Sequence, residues 1–446
     1  MKGGGIWRQL WMWVLIWVVA CRPLADPPRE WSERRMFRET ADAVISSPVA
    51  WDFDGDERLE IAVGSWDGYL YLMDSELEDL PGWPKWSRKG FFSSPALADL
   101  DADGTPEIVV GSEAGKVYAW HWDGQAAEGF PVDLGYRIWA SPVVLACEQT
   151  DVCLAIGGKE QMYVLDAYGQ AVDGWPQPIR GWPDATAAAG IDHAGRTILA
   201  VTTLTPGDPS QGWIYAWTGE GRLLEGFPRE LPLDSDSSPA LANLDGNGWP
   251  WIVFGDDAGW LHVVDLDGEA RAGFPVRSLG PKPGPTPTPH PPGGNVYSIE
   301  ASPALADLDR DGRIEIAVGS WDGRMYVWDD AGRPVPGWPV AVADQIISSA
   351  ALVDLDGDDR LDVVVGSKDG RLYGWTAEGA PLPGFPYELG DAVFSSPWIG
   401  DLEGDGRADV VVGANNGLHL IRDVGSLGRA AWPTFHRDER RTGALP

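Results

Sequence analysis

A repeat of 47 residues constrains the fold of this chain more than any other feature of its sequence. A leading acid recurs at Asp52 and Asp99, and again at Asp307, Asp354 and Asp401, with 47 residues between neighbours in each series. Each copy holds about four short runs rich in β-branched and aromatic residues, separated by Gly, Pro and Asp. This period is typical of a propeller blade, because a lone four-stranded sheet cannot bury both faces and a closed ring of sheets can.

Degenerate copies centred on Ala146, Asp192 and Asn243 bring the number of repeats to eight. The predicted fold is therefore all-β, a single β-propeller over residues 44–431 with eight blades of four antiparallel strands; seven blades are the alternative. A proline-rich run at 281–294 is read as a loop insertion within the ring, because the repeat resumes in phase after it.

Closure of the ring has two candidate segments. The tail at 432–446 begins with a Trp-Pro that echoes the Gly-Trp-Pro segment of the repeats. We therefore predict that the tail supplies the outer strand of the last blade. The alternative is a closing strand from residues 31–43, in the N-terminal linker at 21–43.

The N-terminus predicts export. Basic residues precede an apolar run at 10–20, which is too short to span a membrane comfortably and is typical of a signal peptide. The run ends in Val-Val-Ala-Cys, which resembles a bacterial lipobox, so residues 1–20 are predicted as signal peptide and Cys21 as a lipidation site. Cleavage near Ala25 and an uncleaved anchor are the alternatives. Each places the protein outside the cytoplasm, as an envelope lipoprotein or a secreted protein.

The formal net charge of −33 bears on the choice of partner. Nucleic acid is disfavoured, because phosphate binding needs a basic surface. Broad attraction to anionic lipid is disfavoured too, so membrane contact is expected only through the N-terminal lipid anchor. The sequence leaves the oligomeric state open.

Acids recur in register in the loop that follows the first strand of five repeats, at loop positions one, three, five and nine. They are Asp52, Asp54, Asp56 and Glu60; Asp99, Asp101, Asp103 and Glu107; Asp307, Asp309, Asp311 and Glu315; Asp354, Asp356, Asp358 and Asp362; and Asp401, Glu403, Asp405 and Asp409. Four carboxylates this close together repel one another unless a cation lies between them. Ca²⁺ accepts six to eight oxygen ligands in flexible geometry, so we expect about five structural Ca²⁺ ions.

These loops, each followed by a strand such as Val-Val-Gly-Ser, resemble FG-GAP and VCBS repeats, including those of integrin α heads. The resemblance implies a propeller with calcium loops on one rim and a role in extracellular binding or adhesion. Integrin heads have seven blades, so their ligand residues are not transferred to this chain.

Three repeats depart from the pattern. In the third, Cys147 and Cys153 flank the replaced loop, and we expect a disulfide there that ties the strands that calcium ties elsewhere. The fourth, around Asp192, has lost its acids. The fifth has Trp251 at position nine, so we expect a weak or empty metal site.

The rim opposite the acidic loops holds the candidate ligand-binding residues. Exposed aromatic and cationic side chains on one rim suit stacking on sugar rings or anchoring a protein partner, although packing between blades is the alternative for each of them. The candidates are Trp66, Phe92, Arg137, Trp139, Tyr297, Trp321 and Phe394.

No catalytic motif stands out. The six histidines form no spaced metal motif, and there is no Gly-x-Ser-x-Gly elbow or phosphate loop. We therefore expect a non-catalytic binding or adhesion module for a protein or polysaccharide ligand. The alternatives are a calcium-dependent polysaccharide lyase and an envelope scaffold lipoprotein.

Overall fold

The computed structural model describes residues 34–147, 151–205, 211–280 and 297–445. These residues form 34 strands in eight sheets, and none of them is in a helix. The all-β propeller with eight four-stranded blades is thus confirmed. In the described part of the chain, no helix is long and apolar enough to cross a membrane. The predicted signal peptide, Cys21 and the 281–294 insertion lie outside the described residues.

The strands of each blade run antiparallel from the channel outward. Blades 1 to 4 consist of Val49–Trp51, Glu60–Gly64, Tyr69–Met73 and Lys85–Trp86; Ala96–Ala98, Glu107–Gly111, Lys116–Trp120 and Val132–Asp133; Val143–Cys147, Asp151–Gly158, Gln161–Asp166 and Gln177–Pro178; and Ala188–Ile191, Thr197–Thr205, Gln211–Thr218 and Arg229–Leu231. Blades 5 to 8 consist of Ala240–Ala242, Trp251–Gly255, Trp260–Val264 and Val276–Arg277; Ala304–Ala306, Glu315–Ser320, Arg324–Trp328 and Val340–Ala341; Ala351–Val353, Asp362–Ser367, Arg371–Trp375 and Tyr387–Glu388; and Trp398–Gly400, Arg407–Ala414, Gly417–Ser426 and Arg35–Glu39.

The second strand of each blade is apolar on both faces because a neighbouring blade covers each face. In blade 2, Ile108 and Val110 pack against blade 1, and Val109 packs against blade 3. All five residues of Glu107–Gly111 are buried. This explains why these strands read as continuous apolar runs rather than as alternating ones.

The Gly-aromatic-Pro segments join neighbouring blades at the outer edge. The peptide bond before the proline is cis in seven of them. The indole Nε1 of Trp83 donates to the carbonyl of Trp122 in the next blade (2.6 Å), and Trp338 donates in the same way to Ala377 (2.8 Å). A Cβ on Gly129 would lie 2.1 Å from a carbonyl oxygen of the next blade, so the approach requires glycine.

A Ser-Ser-Pro segment, or a variant of it, precedes the innermost strand of each blade. These segments, which we call lead-ins, join the blades around the channel. The backbone N–H of the second residue donates to the hydroxyl of the equivalent residue in the next blade, as from Ser47 to Ser94 at 2.8 Å. Seven such bonds are present, and the bond from Ser396 to Ser47 joins the last blade to the first. The first serine accepts a bond within its own blade, as Ser46 does from Gly64 at 3.2 Å. We call this set of bonds the hydroxyl ring.

The N-terminal segment closes the ring. Arg35–Glu39 pairs antiparallel with Gly417–Ser426 and forms the outer strand of blade 8. The prediction that the tail at 432–446 supplies this strand is therefore wrong, because the edge of blade 8 is already paired. The alternative, closure by residues 31–43, describes the structure.

The tail instead fills the central channel. Ala430–Trp432 pairs with the innermost strand of blade 7, and Ala444–Leu445 pairs with that of blade 5. Between these strands, carbonyl groups of the tail accept hydrogen bonds from innermost strands of four other blades. The bonds are Ile399 to Pro433, Leu97 to Glu439, Val144 to Arg440 and Ala189 to Thr442. The tail thus connects blades that are distant from one another in the ring.

Arg441 is the central contact of the tail. Its side chain is completely buried. The guanidinium donates to the carbonyl groups of Ser47, Pro48, Pro95 and Phe435 and to the hydroxyl of Thr434. These acceptors belong to blade 1, blade 2 and the tail. One buried cation thus provides hydrogen-bond donors for carbonyl groups of two lead-ins and of the tail.

We predict that Arg441→Met lowers the free energy of unfolding by about 3 kcal/mol or more, because it leaves several buried carbonyl groups without donors. Arg440→Met is the matched control, because the Arg440 side chain is exposed and only its backbone binds blade 3. Urea denaturation of both variants measures the difference. Equal stability of the two variants would contradict the role given to Arg441.

Candidate metal sites and ligand surface

The acid at position nine is fixed in the same way in all five acidic loops. Its carboxylate accepts a hydrogen bond from the backbone N–H at position two, which turns it toward the other acids. The pairs are Phe53 to Glu60 (2.8 Å), Leu100 to Glu107 (2.7 Å), Leu308 to Glu315 (2.8 Å), Leu355 to Asp362 (2.8 Å) and Leu402 to Asp409 (3.1 Å).

The acids at positions one and three organise the rest of the loop. In blade 2, the carboxylate of Asp99 accepts the N–H groups of Asp103 and Gly104, both at 3.1 Å. Asp101 also accepts from Asp103, at 3.2 Å. Gly104 has φ of 94°, so the turn at position six places the chain in a conformation that favours glycine. The loop therefore winds around its own carboxylates.

In four of the five loops, carboxylate oxygens lie within 4.8 Å of one another among the described residues. The grouped residues are Asp52, Asp54 and Glu60; Asp99, Asp101 and Asp103; Asp307, Asp309 and Asp311; and Asp354, Asp356 and Asp362. An all-oxygen donor set with several carboxylates matches the preference of Ca²⁺. These loops thus fit the ion that the sequence predicts, and calcium would compensate their mutual repulsion.

The pKa values of the acids at position nine show that the loop by itself disfavours their ionised forms. Burial, together with the neighbouring acids of the loop, raises the pKa of Glu60 to about 7, that of Glu315 to about 8 and that of Asp362 to about 7. A backbone hydrogen bond to each carboxylate acts in the opposite direction but does not offset the burial. A divalent cation in the loop would favour the ionised form of all three.

The loop of blade 8 differs from the other four. Glu403 at position three lies 3.3 Å from the guanidinium of Arg422, which is almost fully buried. Asp409 accepts a further bond from the N–H of Asp423 at 3.0 Å. A protein cation thus lies beside one of these acids, so we expect calcium to bind this loop more weakly than the other four.

The three other blades carry protein-made links in the corresponding turn. In blade 3, a disulfide joins Cys147 to Cys153 across its two innermost strands, with the Cα atoms 5.8 Å apart. In blade 4, Arg196 pairs with Asp192 at 2.6 Å. In blade 5, the Arg271 guanidinium forms an ion pair with Asp245 at 2.6 Å, and the Trp251 indole also donates a hydrogen bond to Asp245. Sequence reasoning missed both cations: Arg196 lies within the turn that had lost its acids, and Arg271 reaches Asp245 from 26 residues away.

The opposite end of the channel is surrounded by the residue that precedes each lead-in. These eight residues are partly or fully exposed, whereas the residues on either side of them are mostly buried. In blade order they are Ile45, Phe92, Trp139, Asp184, Asp236, Glu300, Ile347 and Phe394. We call this ring the mouth. It is acidic in three consecutive blades and apolar in the other five, a pattern that becomes visible when this position is aligned across the repeats.

Aromatic and basic side chains gather on the apolar side of the mouth. Phe92 stacks on Trp139 with ring centroids 4.8 Å apart, and Trp66 lies 6.4 Å from Phe92. The Arg137 guanidinium lies 3.6 Å from the centre of the Trp139 ring and pairs with Asp184 at 2.9 Å. Four of these residues, namely Trp66, Phe92, Arg137 and Trp139, were predicted from the sequence, and the structure brings them together.

The remaining predicted ligand residues are placed less uniformly. Phe394 belongs to the mouth and lies 5.7 Å from the Lys368 ammonium group. Trp321 packs under the same lysine and is only 6% exposed. Tyr297 lies beneath Arg277, 4.9 Å from its guanidinium. Trp321 is thus mainly a packing residue, and Tyr297 lies to the side of the mouth.

Acids crowd the other side of the mouth. Burial and the neighbouring Glu300 raise the pKa of Asp257 to about 9, although the Ser298 hydroxyl donates to it at 2.7 Å. Burial and Glu300 also raise the pKa of Asp236 well above its ordinary range. Asp236 is an exposed residue of the mouth, although the protein around its carboxylate disfavours the ionised form. These acids are held together at a cost to folding.

Three segments match the model of the FG-GAP-like repeat, at residues 52–110, 307–365 and 354–412. No curated protein sequence is a significant match. Among solved structures, Saccharomyces cerevisiae Sqt1 has 14% identity and a TM-score of 0.60, with 89% of this chain and 98% of that chain covered.

Two further structures are similar. The computationally designed Ika8 protein has 15% identity and a TM-score of 0.54, with 86% of this chain and 98% of that chain covered. The quinohemoprotein alcohol dehydrogenase from Comamonas testosteroni has 13% identity and a TM-score of 0.60, with 90% and 78% covered. At such identities the likeness shows the fold alone. The chain is therefore an eight-bladed β-propeller that contains FG-GAP-like repeats.

We predict four bound Ca²⁺ ions in the wild-type protein and three in Asp309→Ala, because Asp309 belongs to one of the four grouped loops. Asp245→Ala is the matched control and should keep all four, since Arg271 and Trp251 already bind Asp245. Atomic emission after dialysis against calcium measures the count. An equal loss of calcium in both variants would contradict the assignment.

We predict that Asp257→Asn stabilises the protein at pH 8 by about 1 kcal/mol or more but not at pH 4. The pKa of Asp257 is about 9 in the folded protein, so folding takes up a proton above the ordinary pKa of 3.8, and stability falls as the pH rises between these values. Asparagine removes this loss and still accepts the bond from Ser298. Thermal melts across this pH range test it, with the exposed Asp267→Asn as control.

Proposed function

We propose that this protein is an extracytoplasmic, calcium-binding β-propeller that acts as a non-catalytic binding module, with its ligand at the mouth. The observation that carries the proposal is the composition of the mouth. One ring position places aromatic side chains on one side and closely spaced acids on the other, although none of them is needed for the blades to pack. Binding surfaces commonly combine aromatic anchors with a few oriented polar groups in this way.

Calcium would serve this function indirectly. The four grouped loops lie at the opposite end of the same innermost strands that carry the mouth residues. An ion held by the acids at positions one, three, five and nine would fix the turn between the two innermost strands. Its chemical contribution is charge compensation. A rigid strand in turn fixes the mouth residue at its other end, which favours a preformed ligand surface.

The charges at the mouth support a binder over a lyase. A polyuronate lyase must hold an anionic sugar beside a base and a neutralising cation. An anionic sugar would add negative charge to a site where the ionised forms of Asp236 and Asp257 are already disfavoured, and Arg137 is already engaged by Asp184 and Trp139. The mouth is better suited to a neutral polysaccharide or a protein segment without excess negative charge. An envelope scaffold lipoprotein would use the same surface.

The test is incubation of the calcium-loaded protein with a panel of neutral and acidic polysaccharides, with retention and unsaturated product recorded together. We predict retention of a neutral polysaccharide without product, and at least tenfold weaker binding by Trp139→Ala, since losing a buried aromatic contact costs about 1.4 kcal/mol or more. Trp86→Ala is the matched control, because Trp86 is 60% exposed on the outer strand of blade 1.

Each outcome has a distinct meaning. Unsaturated product would overturn the binding proposal in favour of a lyase. If Trp139→Ala still retains the polysaccharide, the ligand binds somewhere other than the mouth. If no polysaccharide is retained, the same pair of variants decides whether a protein partner binds there.

A further inference from the structure

One turn of blade 2 differs from its equivalents in other blades. The residue at the end of the third strand, where the chain turns, is an aspartate in blades 1, 3, 5 and 6, namely Asp74, Asp166, Asp265 and Asp329. Each of these carboxylates closes its own turn by accepting two backbone N–H groups. In blade 2 the residue is His121, and a different side chain, Asp123, accepts the N–H of Gln125. His121 therefore does not close this turn in the way that the aspartates of the other blades do.

The His121 ring faces the acidic loop of the same blade. Its Nδ1 lies 2.9 Å from Oε1 of Glu107, whose side chain is only 1% exposed. The other oxygen of Glu107 accepts the N–H of Leu100 at 2.7 Å, so the carboxylate is fixed with Oε1 directed at the histidine. Ligand atoms of Asp101, Glu107 and His121 all lie within 4.8 Å of one another. Among the described residues, this is the one such group that includes a nitrogen ligand.

A cavity of about 280 Å³ lies beside this group. It is lined by residues of the loop and of the turn, including Asp103, Thr105, Glu107, His121 and Asp123. The cavity leaves room for an ion with several water ligands. Both His121 and Asp101 are accessible enough to move, with 31% of the His121 side chain exposed.

We propose that blade 2 binds a zinc ion through His121, Glu107 and Asp101. Zinc is bound by imidazole nitrogen and carboxylate oxygen at about 2.0–2.2 Å, whereas calcium takes oxygen ligands. The ligand atoms lie farther apart than in a coordinated set, so the exposed side chains of His121 and Asp101 would rotate toward the fixed Glu107 when zinc binds. The backbone bond from Leu100 orients this ligand, as outer hydrogen bonds do at metal sites. Because Asp101 and Glu107 also belong to the calcium loop of blade 2, zinc would replace the calcium ion of that blade and leave those of blades 1, 6 and 7 in place.

The test uses the full exported chain without a histidine tag, stripped by chelator and then saturated with calcium. Zinc chloride is titrated by calorimetry, and bound zinc and calcium are counted by atomic emission after dialysis against calcium buffer. We expect one zinc ion that excess calcium does not displace. His121→Asp should bind zinc at least 10-fold more weakly, because it loses the nitrogen ligand. Since aspartate occupies this position in four other blades, the variant should fold.

The controls separate this proposal from the calcium assignment. His193→Asp removes an exposed histidine from the turn of blade 4 and should leave zinc binding intact. Absence of zinc from the wild type, or zinc retained by His121→Asp, would overturn the proposal and leave His121 and Glu107 as a hydrogen-bonded pair. Calcium in blades 1, 6 and 7 is counted in the same samples, so its loss would refute the calcium loops without affecting the zinc result.

Discussion

The hydroxyl ring is the interaction on which the rest of this structure depends. Each bond joins the backbone N–H of one innermost strand to a hydroxyl of the next, in a place that water does not reach. A buried N–H without an acceptor costs about 1–3 kcal/mol, so the ring strongly favours all eight blades being present. The bond from Ser396 to Ser47 can form only when the chain returns to its start. The strand Arg35–Glu39 makes that return at the outer edge as well.

The position of the tail follows from this ring. Each innermost strand presents its backbone edge to the channel, because side chains such as Ala96 and Ala98 pack against the next blade and do not fill the channel. Backbone groups facing the channel need partners, and the tail supplies them through its carbonyl groups and through Arg441. The similarity of Trp-Pro at 432 to the Gly-Trp-Pro segments of the repeats suggested an outer strand. Local sequence similarity could not show that the closed ring leaves a channel for the tail to fill. That space exists only once the ring is closed.

The repeat predicted the blades, their number and the acidic loops because all of these are local and recur in register. What it could not predict are pairings between residues brought together by the ring. Asp245 looked like a weak metal ligand, and the structure places Arg271 against it from 26 residues away. Glu403 looked like a full ligand, and Arg422 lies beside it. In both loops the sequence pattern could not show that an arginine of the protein lies against the carboxylates.

The mouth shows why departures from a repeat are informative about function. The position before the lead-in tolerates isoleucine, phenylalanine or tryptophan in five blades, so folding does not require an acid there. Asp236 and Glu300 nevertheless lie close to Asp257 and raise its pKa, which means that their ionised forms oppose folding at neutral pH. The chain itself offers less costly alternatives at the equivalent positions. A destabilising group kept where such alternatives exist is best explained by a role in ligand binding.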